Sequence, residues 1–491
     1  MSKNIRLPTL EEYGLSDNGF LPSEFPVSKL SDEYYKDWET IVENIPSLLL
    51  SKKMREVVDR LPVLDVKDSL VGDVRQVRRA YSVLCFIANA YVWGYDKPCD
   101  TLPDCIAKPL LTVSDILGLP PLATYASVVL WNYKPIVANS ELVDDLLDLS
   151  NLTSINTFTG GMDETWFYLV SVMTEKIGAP CVTSGLKAIQ AVRADDLEGA
   201  ISELKCIAEA IDNLGSVLMK MEAMCDPHIF FFRIRPYLAG WQNMAEVGLP
   251  KGVKYGSEGD YLSFAGGSNA QSSLLQALDI VLGIEHFPTG KKGSGARTIS
   301  ANSDQNSFIN EMRKYMPREH REFLGHLAKV SNIKDYVETK KDKELTLAYD
   351  ACIAMLKSFR DKHIQIVTRY IILQAHKKDA SSQSKVLRSG LSKSQGQKEQ
   401  RGTGGTALIP FLKQCRDETG SSAASDWGKK VLSTAVLNVH ENSTAAGVRK
   451  RSHESTADSG GDAKRMKLGL AGNWNIDQES DEEGSYPAGH W

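Results

Sequence analysis

The chain lacks several features that would direct its reading elsewhere. Its eight cysteines, spread from Cys85 to Cys415, form no CxxC pair. Several sit in apolar segments, so reduced thiols in an intracellular protein are expected, not a disulfide framework. The nine histidines are dispersed, which argues against a multi-histidine zinc site. The most apolar run, Val83–Tyr95, is too short and too polar to span a bilayer. The first residues, MSKNIRLPTLEEYGLS, have no apolar centre of a secretory signal. Lys and Arg number 57 against 62 Asp and Glu, a formal charge of −5, so no global basic field exists for nucleic acid. HExxH and nucleophile-elbow motifs are missing. TGKKGSGAR at Thr289–Arg297 lacks the GK[ST] ending and the preceding apolar strand of a phosphate loop. Strand signals are scarce throughout, and the expected fold class is all-α.

What is present is helical periodicity with clear breaks. A length of 491 residues is enough for two domains. Residues 1–30, rich in Pro, Ser and Gly, are expected to drape over the surface. Residues 31–150 read as short helices with proline stops. Among them are Leu48–Leu61, the aromatic-rich Val74–Tyr95, and Pro109–Leu117 closed by Gly118. Thr159-Gly160-Gly161 marks a loop near a domain boundary. Trp166–Ile177 reads as helix. Asp195-Asp196-Leu197-Glu198 carries a helix-start signature before an amphipathic run from Ile201 to Met221. Helix is expected again up to Gly283 and over Ser307–Val330, with a break near Pro317. Phe287–Asn306 reads as a polar loop and Lys377–Gln400 as a mobile one. From about Ser421 the periodic core pattern is lost and the tail reads as disordered.

The chain turns on Tyr349–Ile372. Tyr349, Cys352, Leu356, Phe359, His363, Ile366 and Tyr370 recur at spacings of three and four, which puts them on one stripe of a helix. One member of this apolar stripe is a histidine. A buried imidazole needs a hydrogen-bond partner or a metal, because an unsatisfied buried polar group is costly. From the helix alone, His363 is either a core histidine bonded to a carbonyl or an iron ligand beneath a flat cofactor.

Four further segments bear on that choice. WFYLVS at Trp166–Ser171 is an aromatic cluster with one serine hydroxyl. HIFFFRIRPYLAGW at His228–Trp241 sets Arg233 and Arg235 among aromatics, as snorkelling residues or anion anchors. FAGGSNAQSS at Phe264–Ser273 has small residues that let a flat ligand approach the backbone. GTGGT at Gly402–Thr406 is a glycine loop suited to closing over a pocket. Taken in order, with FRDKHIQIVTRY between the third and fourth, they resemble the indoleamine 2,3-dioxygenase family. LPPLATYASVVLWNY at Leu119–Tyr133, YMPREHREFL at Tyr315–Leu324 and FLKQCRDET at Phe411–Thr419 extend the resemblance over roughly residues 40–420.

The resemblance implies a two-domain all-α haem enzyme. Its smaller N-terminal domain would span 1–155 and its catalytic domain 156–420, with a mobile loop at 377–401 and a disordered tail at 421–491. The implied reaction inserts O2 across the indole C2–C3 bond of L-tryptophan to give N-formylkynurenine, the first step of the kynurenine pathway, which leads to NAD. His363 stands at the proximal position for the iron of haem b. Asp279, with Arg360 as partner, matches the acid on that side. Phe167, Ser171 and Tyr125 match pocket positions. Phe230 would press on the indole and Arg235 would pair with the substrate carboxylate. Ser268 and Ala270 would lie along the haem edge, and Thr403 would sit on the closing loop. Pro236, after Arg235, departs from the aliphatic residue common in relatives. An electron donor to keep the iron ferrous, a monomeric state, a cytoplasmic location and no membrane or nucleic-acid partner are also expected.

Two other functions compete. The same fold could serve as an oxygen carrier, which would need neither Phe230 nor Arg235. A haem-dependent signalling protein would use the tail. Two basic clusters there, Arg449-Lys450-Arg451 and Lys464-Arg465-Met466-Lys467, read as a solvated charge run or as a two-part nuclear signal. Truncation after residue 420 is expected to leave haem content and turnover near normal.

Overall fold

Helices make up nearly all the regular structure of the computed structural model, which describes residues 5–288, 308–376 and 408–433. The principal ones are α1 (Val74–Trp93), α2 (Asp104–Leu117), α3 (Met162–Ala194), α4 (Leu197–Met219), α5 (Ser273–Val281), α6 (Arg318–Val330), α7 (Lys343–Val367), α8 (Leu408–Ser421) and α9 (Asp426–Ser433). Strands among the described residues are two or three residues long. Thr101–Leu102 lies parallel to Val253–Tyr255, which pairs antiparallel with Tyr261–Leu262. The fold class is all-α. No described helix is long and apolar enough to cross a membrane.

The frame that carries His363 is α3, α4 and α7. α3 and α4 pack side by side, and α7 lies against α4. The sharp turn between α3 and α4 follows from local chemistry. Asp195 ends α3 in a left-handed conformation (φ 59°), and the Asp196 side chain caps α4 by accepting from the Gly199 N–H. Both are stabilising at a helix boundary. α8 covers the other side of α7, and α5 bridges α3 and α6.

Polar anchors fix α7 along its length. The Tyr349 hydroxyl donates to the Leu282 carbonyl (2.6 Å), the Cys352 thiol to Leu204 (3.0 Å), and the Tyr370 hydroxyl to Cys225 (2.6 Å). Asp342 caps its start by accepting from Glu344 and Leu345. The helix therefore begins earlier than the apolar stripe. A wide π turn, Thr368–Ile372, continues it.

Several boundaries differ from expectation. α3 runs through Pro180, where helix was expected only to Ile177. Small and apolar residues such as Ala179, Cys181, Val182 and Ala188 keep helical spacing past the proline and are buried. Their burial outweighs the ~3 kcal/mol cost of an interior proline. α2 likewise starts at Asp104 and contains Pro109. Leu48–Leu61 divides into Ile45–Leu50 and Met54–Val58, interrupted where Lys52 takes a positive φ of 55°. The segment 5–30 does more than drape. It buries Leu15, Phe20 and Leu21, and Phe20 packs against Phe323 of α6.

Order also continues beyond residue 420, where disorder was expected. α9 packs on α8 and α7. The Asp350 carboxylate on α7 accepts from the backbone N–H of Ala424 (2.6 Å) and Ser425 (3.2 Å). These backbone groups gain a charged acceptor that sequence periodicity does not reveal. Most of the expected Phe287–Asn306 loop (from residue 289), the 377–401 segment, GTGGT with Thr403, and both basic clusters lie outside the described residues.

Candidate functional site

Three π turns converge on one cavity. π geometry is rare in proteins and often marks functional sites. Ala126–Leu130 contributes Val128 and Val129, Phe230–Ile234 contributes Phe230, and Thr368–Ile372 contributes Tyr370 and Ile371. The remaining wall is mostly apolar and comes from α7 (Leu356, Phe359, Ile366, Val367), α8 (Leu408, Phe411, Leu412) and Phe308. The cavity holds about 1670 Å³ of atom-free space, counting its solvent-open mouth.

His363 faces this cavity. The other six members of its stripe are buried, while His363 keeps partial access. Among the described residues its ring has no hydrogen-bond partner. Burial, with Arg360 nearby, pushes its pKa down to about 4, so the imidazole is neutral and free to donate a lone pair. His320 on α6 shows the contrasting case. It is a buried core histidine bonded to the Ser273 hydroxyl at 3.1 Å.

One turn before His363, Arg360 donates to Asp279 on α5 at 2.5 Å. Asp279 is also 3.1 Å from His286 Nε2, and His286 Nδ1 is 2.6 Å from Glu418 on α8. Burial alone would raise the Asp279 carboxyl, but Arg360 and His286 together hold it below its usual value. Burial would lower His286, but Asp279 first, then Cys415 and Glu418, lift it far above its usual range. A continuous charged chain thus runs from α8 to the turn below His363.

The aromatic side of the cavity is built from α3 and the segment after α4. Phe167 and Phe230 rings lie 4.8 Å apart at 45°, and Phe230 meets Tyr370 edge-on at 5.8 Å. Arg235 follows the π turn that holds Phe230. It is buried, and its guanidinium lies 5.2 Å from the Phe231 ring. Burial lowers its pKa to about 10, which leaves it cationic at neutral pH. Pro236 sits in the first turn of the 3-10 segment Arg235–Leu238, where a missing N–H removes no helical bond.

Of the residues singled out from sequence, nine line this cavity: Tyr125, Phe167, Phe230, Arg235, Ser268, Ala270, Asp279, Arg360 and His363. Ser171 is not among the lining residues. It is buried one turn along from Phe167, with its hydroxyl on the Phe167 carbonyl at 3.3 Å. Thr403 lies outside the described residues. The two glycines of FAGGS have different roles. A Cβ on Gly266 would lie 2.2 Å from the Leu238 carbonyl oxygen, so close chain packing demands glycine there. A Cβ on Gly267 would meet nothing closer than 3.5 Å.

Glu175 and His286 escaped sequence reasoning. Glu175 is buried behind the wall and accepts from Tyr125 Oη (2.9 Å) and Ser272 Oγ (2.6 Å). Its spacing of four from Ser171, and of eight from Phe167, was the available signal.

The chain is similar to known proteins along most of its length. The family model described as indoleamine 2,3-dioxygenase matches residues 9–422. The chain is 50% identical to the indoleamine 2,3-dioxygenase of Saccharomyces cerevisiae over 432 residues, covering 85% of this chain and 94% of that one. It is 34% identical to a 6-hydroxytryptophan 2,3-dioxygenase of Fusarium equiseti over 416 residues, covering 84% and 97%. It is 33% identical to indoleamine 2,3-dioxygenase 1 of Rattus norvegicus over 419 residues, covering 85% and 96%.

Proposed function

Because the chain belongs to the indoleamine 2,3-dioxygenase family and is a dioxygenase, we propose that it binds haem b through His363 and converts L-tryptophan to N-formylkynurenine. The observation that carries this reading is His363 itself. It is a neutral imidazole on a rigid helix, turned to an apolar cavity, with no hydrogen-bond partner among the described residues. Those are the properties of a ligand and not of a satisfied core histidine. When bound, haem supplies a ferrous iron for dioxygen activation, which calls for an external electron donor.

The protein's own contribution is to position and enclose. Arg360, tied to Asp279, fixes the turn of α7 that presents His363. Phe230 and Phe167 offer ring faces and edges to the indole. Arg235 is the buried cation that pairs with the substrate carboxylate and sets which end of tryptophan enters first. The apolar wall excludes water from the reacting carbons. No histidine or carboxylate base is required beside the indole, because the ring itself supplies the electrons. Retention of Phe230 and Arg235 favours this chemistry over oxygen storage.

The test is direct. Ferrous, haem-loaded protein is mixed with L-tryptophan and O2, and N-formylkynurenine is followed by absorbance. 6-Hydroxytryptophan serves as the comparison substrate. A fully haem-loaded protein that binds tryptophan and yields no product would overturn the proposal.

A further inference from the structure

His286, Cys415 and Glu418 bring one nitrogen, one sulfur and one carboxylate oxygen together at the cavity wall, where Cys415 is a lining residue. Their ligand atoms all lie within 4.8 Å of one another. Cys415 is buried, and the side chains of His286 and Glu418 are nearly so. Cys415 and Glu418 sit three residues apart on α8, so both face the segment that follows α5.

Each outer donor is held from behind. His286 Nε2 contacts the Asp279 carboxylate at 3.1 Å, which leaves Nδ1 as the nitrogen turned to the cluster. A carboxylate on the remote nitrogen is the usual support of a metal-binding histidine. Glu418 Oε1 accepts from the Phe287 N–H (3.2 Å) and the Gln414 amide (2.7 Å), which directs Oε2 to His286. We propose that His286, Cys415 and Glu418 form a binding site for a zinc-class divalent cation, distinct from the site at His363.

The donor set suits zinc, which accepts imidazole, thiolate and carboxylate together, with water completing a tetrahedron. Bonds of ~2.0–2.3 Å need donors roughly 3.3–3.8 Å apart, so side-chain shifts of about 1 Å form the site. Metal entry displaces one proton from Nδ1 and one from the thiol, so the charge of the cluster is unchanged. The metal would clip α8, which supplies Phe411 and Leu412 to the cavity, to the chain after α5. Without metal, His286 is an imidazolium between two carboxylates with the Cys415 thiol beside it, and no sulfur–metal bond exists. A sulfur atom bonded directly to zinc therefore separates the two readings.

The experiment uses the haem-loaded protein, dialysed against zinc sulfate and then against metal-free buffer. Zinc and iron are counted by mass spectrometry, and absorption at the zinc edge reports the neighbouring atoms. About one zinc per chain beyond the iron is expected, with one sulfur neighbour. Cys415→Ser and His286→Gln should each lower zinc affinity roughly tenfold or more, with zinc counted against the iron that each variant retains. Absence of retained zinc, zinc without a sulfur neighbour, or zinc retained equally by both variants would overturn the proposal. Should either variant fail to fold, the zinc count and edge spectrum of the unaltered protein still decide.

Discussion

Replacing Glu175 with glutamine should flatten part of the pH dependence of stability. Glu175 is buried, and both of its donors reach the same oxygen, Oε1. Oε2 is buried without a hydrogen-bond partner. Burial, only partly offset by the Ser272 and Tyr125 hydroxyls, raises the carboxyl from 4.5 to about 7. The unfolded chain loses this proton near pH 4.5, whereas the folded chain keeps it to about 7. Between those values the native state binds more protons than the unfolded state, so stability falls as pH rises. At about 1.36 kcal/mol per pKa unit the whole loss is about 3 kcal/mol, most of which develops between pH 5 and pH 8.

Glutamine keeps a carbonyl oxygen for Tyr125 and Ser272 and cannot ionise. It therefore imitates the protonated native form. Urea unfolding of both proteins at pH 5 and pH 8 gives four free energies. Their double difference cancels any packing change that is the same at both pH values. Glu175→Gln should gain about 2–3 kcal/mol relative to the unaltered chain on going from pH 5 to pH 8. A stability difference that does not change with pH would refute the reasoning and show that Glu175 is ionised in the folded protein.

Three further outcomes are expected. His363→Ala should lose the haem while keeping the helical fold, read from the absorbance spectrum and far-ultraviolet circular dichroism; normal haem content and ligation would remove His363 from its role. Arg235→Ala should weaken tryptophan binding by roughly 1.5–3 kcal/mol, on the order of tenfold to a hundredfold, and spare indoles that lack the carboxylate; equal losses for both would make Arg235 structural. Truncation after residue 420 removes the N–H groups that Asp350 accepts and should lower stability by about 1–3 kcal/mol, whereas truncation after residue 435 should not; equal thermal midpoints for the two truncations would show that α9 adds nothing.

Local periodicity made the helices legible and left their partners hidden. The stripe through His363 could be read because every member lies on one helix. The Arg360–Asp279 pair came only with the family resemblance, since its members are far apart in the chain. His286 and Glu418 are linked across 132 positions and match no motif. Glu175 depends on Tyr125, fifty positions away. Gly266 looked like a place for close ligand approach, but the nearest atoms to its missing Cβ belong to residues 238–240. Pro180 looked like a stop because local propensity omits the burial gained on both sides of it. Each miss has the same origin: the deciding partner comes from another element.

The two buried carboxylates near the cavity show how partners, not burial, set the charge of each wall. Burial drives both Asp279 and Glu175 toward the neutral form. Asp279 meets a guanidinium and an imidazolium and stays ionised. Glu175 meets only hydroxyls and holds its proton to about pH 7. Anionic charge is thus concentrated in the chain that supports His363, where it is already matched by Arg360 and His286. The Tyr125 side carries no net charge below neutrality. Under the proposed function, Arg235 would then meet an entering carboxylate without a competing anion from Glu175. An ionised Glu175 would weaken that attraction through a medium of low dielectric constant, where charges interact strongly. On this account, substrate affinity should decline as pH rises through 7 in the unaltered protein and lose that component in Glu175→Gln. The same substitution that reports on stability therefore also tests whether the neutral wall serves carboxylate binding.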